Sequence, residues 1–249
     1  MYIRPSKQKK IKSSEQKMQT AIVTGASSGI GKAITNRLLT LGFHVIGISR
    51  TVQNDTFNTP NFQAISCDLS DANATLELSE QLKKKEIFIL VNAAGFGKFD
   101  PHEELNAATI TQMTFLNLTA PMLLTNATLR SLKRSAGYLI NINSIEALRA
   151  SKFAGVYSAT KAGLRAFGDA LFEETRKSGL SITNINPDMT QSHFYDTLRF
   201  DVSEKENEKL FTEDIADALE HILTMRKGAV ISEYTIRSLH FGIQKKAKK

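Results

Sequence analysis

The sequence predicts one doubly wound α/β domain, in which a parallel sheet of about seven strands is covered by helices on both faces. Short apolar runs alternate with segments of helical periodicity along most of the 249 residues, as in repeated strand–helix–strand units. Residues 87–91 are all apolar, as expected for a central parallel strand that is buried on both faces. No linker or change of composition divides the body, so we expect a single domain over residues 18–236.

The first half of the chain supplies three predicted strands and two predicted helices. The strands are the apolar runs at residues 20–24, 45–49 and 62–67. Residues 32–41 carry apolar side chains at helical spacing and are followed by Gly42, which can adopt the left-handed conformation that often ends a helix. Residues 76–85 have the polar face of a surface helix.

The second half continues the same alternation. A long helical segment at residues 104–133 contains Pro121, which has no amide N–H and should bend the helix. Two further helices are predicted at residues 156–177 and 213–225. The remaining strands are the apolar runs at residues 87–91, 138–143, 181–185 and 230–236. Ligands of such sheets bind beyond the carboxyl ends of the strands, so motifs that follow strands indicate the site.

The formal net charge of +7 is concentrated at the two ends of the chain. Residues 1–17 and residues 237–249 each carry a net charge of +5, which leaves a body of −3. Both ends have few apolar side chains, so we expect a basic disordered extension at 1–17 and a basic C-terminal tail at 237–249. Met18 is a second candidate start of translation. Association of these ends with RNA or anionic lipid is an alternative function, but we do not expect nucleic acid to be the main partner.

The composition argues against several classes of protein. The single cysteine, Cys67, excludes an internal disulfide, and the five histidines lack the spacing of metal ligands. No apolar run approaches the roughly 18 residues that a membrane span needs, and the N-terminal segment has no secretory apolar core. We therefore expect a cytoplasmic protein with no metal site and no membrane span.

Tyr157, Lys161 and Ser144 have the spacing of an acid–base site. Residues four apart share one face of a helix, so the Lys161 ammonium can lie beside the Tyr157 phenol. A nearby cation favours the phenolate and lowers the phenol pKa from roughly 10. A serine hydroxyl from another segment could hold a carbonyl oxygen next to the same phenol. These groups suit proton transfer to or from a substrate oxygen while a cofactor performs the harder chemistry.

A glycine-rich turn with the spacing G-x-x-x-G-x-G follows the first predicted strand. It runs from Thr24 to Gly31 and precedes the first helix. Glycines let the backbone approach a pyrophosphate, and the free N–H groups and dipole of a helix N-terminus attract negative charge. The turn therefore predicts a dinucleotide site at the carboxyl end of the first strand.

Together these motifs resemble the short-chain dehydrogenase/reductase family, and three more landmarks appear in the family's order. Asp68 follows the third strand, where the family places an aspartate against adenine. Residues 92–95, Asn-Ala-Ala-Gly, resemble the family's Asn-Asn-Ala-Gly segment after the fourth strand. Asn117 lies in the long helix at the family's fourth catalytic position. The resemblance covers about residues 20–236 and implies a Rossmann-type oxidoreductase with a nicotinamide cofactor.

The end of the second strand indicates which nicotinamide cofactor binds. NAD enzymes place a carboxylate there to hold the ribose 2′-hydroxyl, and that charge would repel a 2′-phosphate. This chain has Ser49 and Arg50 instead, and an arginine can pair bidentately with phosphate. The sequence therefore predicts NADP(H).

The segment after the sixth strand departs from the family pattern. Pro187 matches and Ser192 can replace the family's threonine, but Asp188 replaces a glycine and Thr190 replaces a valine. A backbone contact from Thr190 to the nicotinamide carboxamide would survive, because it does not depend on the side chain. We expect Asp188 to need a backbone that tolerates the left-handed conformation and to bring a carboxylate near the nicotinamide ring.

The resemblance assigns roles to the candidate catalytic residues. Tyr157 protonates the carbonyl oxygen, Lys161 lowers the tyrosine pKa and binds the nicotinamide ribose, and Ser144 orients the oxygen. Asn117 supports a water that relays protons to Lys161. The expected cofactor-binding residues are Gly25, Ser27, Ser28, Gly29, Ile30, Gly31, Ser49, Arg50, Asp68, Leu69, Asn92, Ala93, Ala94, Gly95, Tyr157, Lys161, Pro187, Thr190 and Ser192.

The substrate is expected to be a small-molecule carbonyl or secondary alcohol. The sequence leaves a polar hydroxy acid, an acyl thioester and a hydrophobic ketone open, and it does not fix the physiological direction. A segment at about 192–210 carries aromatic and charged residues and should cover the site as a lid. The resemblance implies a homodimer or homotetramer paired through the two long helices. The alternative is a catalytically inactive nucleotide-binding sensor or scaffold of the same fold.

Overall fold

The apolar runs of the sequence form a parallel sheet in the computed structural model, which describes residues 18–246. The strands are β1 (Thr20–Thr24), β2 (His44–Ser49), β3 (Phe62–Ser66), β4 (Ile89–Asn92), β5 (Tyr138–Ile142), β6 (Ser181–Pro187), β7 (Phe200–Val202), β8 (Glu233–Ile236) and β9 (Ile243–Lys245). The main sheet has the order β3-β2-β1-β4-β5-β6-β8, and each neighbouring pair is parallel. The predicted fold class is confirmed.

Helices cover both faces of this sheet. They are α1 (Gly29–Thr40), α2 (Ala72–Leu82), α3 (Ala107–Thr114), α4 (Ala120–Arg134), α5 (Gly155–Thr175) and α6 (Thr212–Thr224). Alternate strand residues point to opposite faces, so Ala21 and Val23 of β1 join a core with α1 and α6, while Ile22 joins a second core with α2, α4 and α5. The sheet is therefore buried on both sides, as its apolar strands require.

The chain changes direction across the sheet between β1 and β4. From β1 it proceeds outward to β2 and β3, and it then crosses back to place β4 on the other side of β1. The Thr24 hydroxyl at the end of β1 accepts hydrogen bonds from the backbone N–H groups of Ala93 and Ala94, at 2.9 and 3.0 Å. This contact ties the two strand ends together at the switch point, where a ligand crevice is expected.

The predicted long helix is interrupted just before Pro121. A π-helical turn, Phe115–Thr119, joins α3 to α4, and the Ala120 N–H donates to the carbonyl of Phe115, five residues back. An α-helix would instead pair Ala120 with residue 116 and Pro121 with Asn117, but Pro121 has no N–H. The carbonyl of Asn117 therefore lacks its α-helical donor. The predicted irregularity is present, and it falls on a candidate catalytic residue.

Two short strands complete the structure outside the main sheet. β7 lies within the predicted lid, and it pairs antiparallel with β9, which lies within the predicted C-terminal tail. Neither strand is predicted from the sequence. The tail has too few apolar residues to fold alone, and over residues 243–245 it folds against the lid.

Some expectations concern features that the structure does not display. Among the helices of residues 18–246, none combines the length and the apolar character that crossing a membrane requires. The extension predicted at 1–17 lies outside the described residues. The predicted oligomer and the predicted cytoplasmic location stay predictions.

Candidate active site

The carboxyl ends of the central strands open into one cleft of about 580 Å³. Ser144 and Tyr157 line this cleft. The predicted cofactor-binding residues in the same lining are Gly25, Ser27, Ser28, Gly29, Ile30, Gly31, Ser49, Arg50, Asp68, Leu69, Ala93, Ala94, Gly95, Pro187, Thr190 and Ser192. The structure thus brings the glycine turn, Ser144 and Tyr157 together at the carboxyl ends of the strands.

The glycine turn has the geometry of an anion site. Gly25 has φ of +70°, and a Cβ at Gly31 would lie 2.2 Å from the Gly25 carbonyl oxygen, so neither position accepts a larger residue without rearrangement. The N-cap residue Ser28 makes no side-chain capping bond, and the first turn of α1 has no acidic residue. The N–H groups at this helix end can therefore bind a negatively charged group, and the residues present fit a pyrophosphate.

The end of β2 presents Arg50 at the rim of the cleft. The Ser49 hydroxyl accepts from the backbone N–H groups two and three residues later, at 3.3 and 3.0 Å, and so fixes this turn. Arg50 itself is exposed and lines the cleft. Across from it, Asp68 accepts from the N–H and the hydroxyl of Ser70, and these bonds, with the charge of Arg50, lower the pKa of the Asp68 carboxyl. The site here is cationic at β2 and anionic at β3.

Tyr157 lies in the first turn of α5 and is buried. Its ring packs between Phe99 and Phe194, with ring centroids 5.2 and 5.8 Å away. Burial raises the pKa of the phenol above its ordinary value; a side-chain hydrogen bond with Ser144 opposes this effect, and the negative charge of Glu146 adds to it. The phenol therefore stays protonated at neutral pH, as an acid that donates a proton must.

Lys161 follows one turn later and is also buried. Its Nζ donates to the carbonyl oxygen of Ile142 at 2.8 Å and lies 5.9 Å from the centroid of the Tyr157 ring. Burial lowers the pKa of Lys161 to about 8. The expected lowering of the Tyr157 pKa by this cation is not met here, because burial of the phenol outweighs the other effects and the ammonium is itself desolvated.

Ser144 follows β5, where the backbone is extended and the side chain enters the cleft. Its Oγ accepts from the N–H of Glu146 at 3.1 Å and so caps the short helical turn Ile145–Ala147. A serine hydroxyl that accepts one bond can still donate its own proton. Ser144 is therefore held beside Tyr157, with a hydroxyl that can donate either to the phenol oxygen or to a substrate carbonyl oxygen. Glu146 is buried and accepts from Ser151 and Ser158, so it braces this loop.

Asn117 lies in the π-helical turn, behind the wall of the cleft. Its Nδ2 donates to the carbonyl of Phe96 at 2.9 Å and to the hydroxyl of Thr160 at 3.2 Å, and its Oδ1 accepts from the N–H of Phe96 at 3.1 Å. Both polar atoms of the side chain thus clamp the loop after β4 to α5. The water relay from this residue to Lys161 stays a prediction.

Asn92, which was predicted to bind the cofactor, is absent from the lining of the cleft, and its contact with the cofactor stays a prediction. The side chain is buried in the domain interior, where its Nδ2 donates to Asn141 of β5 at 3.0 Å. Asn141 in turn donates to Asn184 of β6 at 3.2 Å, so neighbouring strands are joined by a row of amides. Asn92 therefore links β4 to β5 and does not line the cleft.

Asp188 also differs from its prediction. Positive φ angles occur at Asn58, Ala136 and Phe153 among the described non-glycine residues, and not at Asp188, so no left-handed backbone is needed there. The carboxylate is buried and pairs with Arg237, Nε to Oδ2, at 3.2 Å and with Arg149 at 3.9 Å. It also accepts from the N–H of Met189. The charge that replaces the family's glycine is therefore paired with arginines.

Two residues of the cleft were not assigned a role by the sequence analysis. The Tyr195 hydroxyl accepts from the Thr190 N–H at 3.3 Å, and this is the amide that the resemblance gives to the nicotinamide carboxamide. Asn143 lines the cleft beside Ser144, and its buried Oδ1 has no hydrogen-bond partner among residues 18–246. The only sequence signals were the aromatic character of the lid and the position of Asn143 at a strand end.

Comparisons with known proteins agree with this geometry. The short chain dehydrogenase family model matches residues 19–203. An uncharacterized oxidoreductase of Staphylococcus epidermidis is 31% identical over 232 residues, which are 89% of this chain and 97% of that protein. An alcohol dehydrogenase from the archaeon Thermococcus sibiricus, complexed with 5-hydroxy-NADP, has a TM-score of 0.80 at 25% identity and covers 89% of this chain and 97% of its own. A 4-hydroxyisoleucine dehydrogenase complexed with NADH has a TM-score of 0.76 at 24% identity. The match covers 88% of this chain and 97% of that chain, and the two proteins share the fold.

Proposed function

This chain belongs to the short-chain dehydrogenase family, and we propose that it uses NADP(H) to interconvert a small-molecule carbonyl and its secondary alcohol. One observation carries the proposal. The Tyr157 phenol and the Ser144 hydroxyl face the same cleft as the glycine turn, and Lys161 is buried one helical turn behind the phenol. Proton donors for a carbonyl oxygen therefore lie in the cleft that fits a dinucleotide.

Each group of this chain has a defined task in the proposed reaction. A bound nicotinamide supplies the hydride for the carbonyl carbon. Ser144 donates a hydrogen bond to the carbonyl oxygen, and Tyr157 gives that oxygen its proton. Lys161 stabilises the phenolate that Tyr157 then becomes, because an opposite charge nearby favours the ionised form. Asn117 holds the loop after β4, and we propose that it supports a water that returns the proton through Lys161.

The walls of the cleft near Tyr157 favour an apolar or aromatic carbonyl compound. Phe96, Phe194 and Tyr195 line this end of the cleft. Arg149 and Arg237 are already paired with the buried carboxylate of Asp188, so they are poorly placed to bind a substrate carboxylate. We therefore propose that aryl and alkyl ketones are better substrates than keto acids.

A carbonyl panel tests the proposed function. NADPH consumption would be followed with aryl ketones, alkyl ketones, keto acids and acyl thioesters, each with and without enzyme. We expect turnover with at least one ketone and little with the keto acids. Tight binding of NADPH without consumption by any carbonyl would instead support the sensor or scaffold alternative.

Arg50 is proposed to select NADP(H) through the 2′-phosphate. Arg50→Ala should raise KM for NADPH by about tenfold, because a hydrogen bond between charged groups contributes at least roughly that factor to binding. KM for NADH should change little, because NADH carries no phosphate at that position. Steady-state kinetics with both cofactors measure this difference. Lys84→Ala, a charge removal at an exposed site beyond α2, is the control and should match the wild type with both. A wild-type preference for NADH would overturn the proposal.

A further inference from the structure

The C-terminal residues 237–246, here called the strap, lie along the lid, residues 192–210. β9 of the strap pairs with β7 of the lid, with Lys245 opposite Phe200 and Ile243 opposite Val202. Backbone bonds continue on both sides of this pairing, from the His240 N–H to the carbonyl of residue 207 and from the Lys246 N–H to the carbonyl of residue 199. The strap is therefore bonded to most of the length of the lid.

Charged side chains fix the strap at both ends. At its start, Arg237 pairs with the buried carboxylate of Asp188, directly after β6. At its end, the Lys246 ammonium donates to the carbonyl of Tyr195 at 2.5 Å and to that of Asp196 at 3.5 Å, and it pairs with Asp201 at 3.2 Å. An ammonium has three donors, and all three have an acceptor in the lid. Asp188, the departure from the family pattern, thus gains a role as an anchor.

Packed aromatic rings connect the lid to the catalytic tyrosine. Tyr195, whose carbonyl accepts from Lys246, also accepts a hydrogen bond from the Thr190 N–H through its hydroxyl. The preceding residue, Phe194, packs on the Tyr157 ring. A second path runs from Phe200 of β7 through Phe99 to Tyr157, with ring centroids 5.3 and 5.2 Å apart. A shift of the lid at Lys246 would therefore move the groups that surround the phenol.

We propose that the strap holds the lid over the substrate end of the cleft and that Lys246 is a positioning residue for the reaction at Tyr157. The inference rests on the proposed function only where it concerns turnover. It assigns an intramolecular role to the basic C-terminal segment, because Arg237 and Lys246 are engaged within the domain. The lid also has apolar contacts of its own among Tyr195, Leu198 and Val202, so losing Lys246 should loosen the lid without unfolding the domain.

Lys246→Met removes the ammonium and keeps the length of the side chain. We expect KM for the ketone to rise about five- to tenfold, within the range for losing one typical hydrogen bond, with a smaller change in kcat. Lys246→Arg keeps the charge and should recover most of the loss. Lys245→Met is the matched control, because this neighbouring side chain is exposed and makes no hydrogen bond or ion pair within the described residues. It should behave as the wild type.

Hydrogen exchange of residues 193–202 gives a readout that does not depend on activity. In the full-length protein without substrate, Lys246→Met should exchange these amides faster than the wild type, and Lys245→Met should not. Unchanged hydrogen exchange in Lys246→Met, or equally faster exchange in both variants, would contradict the proposal that Lys246 of the strap holds the lid. Faster exchange with unchanged KM would overturn the positioning role. If the wild type reduced no carbonyl, the proposed function would fail, and the exchange data would still decide whether Lys246 holds the lid.

Discussion

Replacing Tyr157 with phenylalanine is expected to lower kcat for carbonyl reduction by about 10³-fold, within the range that a positioned general acid contributes. The substitution removes the proton donor and keeps the ring, which packs between Phe99 and Phe194. The fold and the glycine turn are untouched, so the dissociation constant for NADPH should stay within about twofold of the wild type. Single-turnover kinetics and a fluorescence titration of NADPH measure the two quantities separately.

Tyr138→Phe is the matched control for this substitution. Tyr138 begins β5 and packs on Phe88 at the end of the sheet away from the cleft, and it should tolerate the loss of its hydroxyl with kcat unchanged. Wild-type turnover in the Tyr157 variant would remove the phenol from the reaction. A weakened affinity for NADPH with unchanged kcat would make Tyr157 a binding residue only.

Replacing Lys161 with methionine is expected to lower kcat by about 10²- to 10³-fold, because the phenolate formed from Tyr157 loses its counter-charge. Folding lowers the pKa of Lys161 to about 8 from 10.5, so the ammonium is present below pH 8 and is lost as the pH rises through that value. Turnover of the wild type in the reductive direction should therefore fall above about pH 8, and this decline should be absent from the residual activity of Lys161→Met. The kcat profile from pH 6 to pH 10 measures both effects. A flat wild-type profile to pH 10 would argue against this role of the ammonium.

The sequence was sufficient to predict the parallel sheet and the position of the cleft at the carboxyl ends of its strands. A run of five apolar residues between polar segments indicates a buried strand, because it is too short to form a buried helix. The ends of the strands then determine where the motifs that follow them lie. Gly25 and Ser144 follow strand ends in the structure, as the sequence predicts with no tertiary information. Tyr157 and Lys161 followed from helical spacing in the same way.

Other features depend on contacts that residue types do not specify. Asn92 and Asn117 are both amides near the cleft, and only the packing decides that one joins two strands and the other clamps a loop. β7 and β9 are three residues each and lack an alternating pattern, so their pairing is visible only in three dimensions. The same holds for the pKa of Tyr157, because spacing predicts the neighbouring cation and does not predict the depth of burial that outweighs it.

Asp188 shows how a departure from a family pattern can be structural. In the sequence it was a carboxylate where a glycine was expected, next to the nicotinamide position. In the structure it pairs with Arg237 of the strap and Arg149 of the loop after β5. Asp188 thus anchors the start of the strap through its ion pair with Arg237. Replacing it would affect the reaction by changing how the strap holds the lid.

The most direct test of the account follows deuterium from NADPH that carries the label at both C4 positions of the nicotinamide. The enzyme would be incubated with labelled NADPH and the best ketone of the panel, and the alcohol product would be analysed by mass spectrometry and NMR. We predict one deuterium at the carbinol carbon of each product molecule, at a rate that Tyr157→Phe reduces about 10³-fold. An alcohol without the label, or labelling at the same rate in the Tyr157 variant, would contradict the assignment of this cleft as an NADPH-dependent site with Tyr157 as its acid.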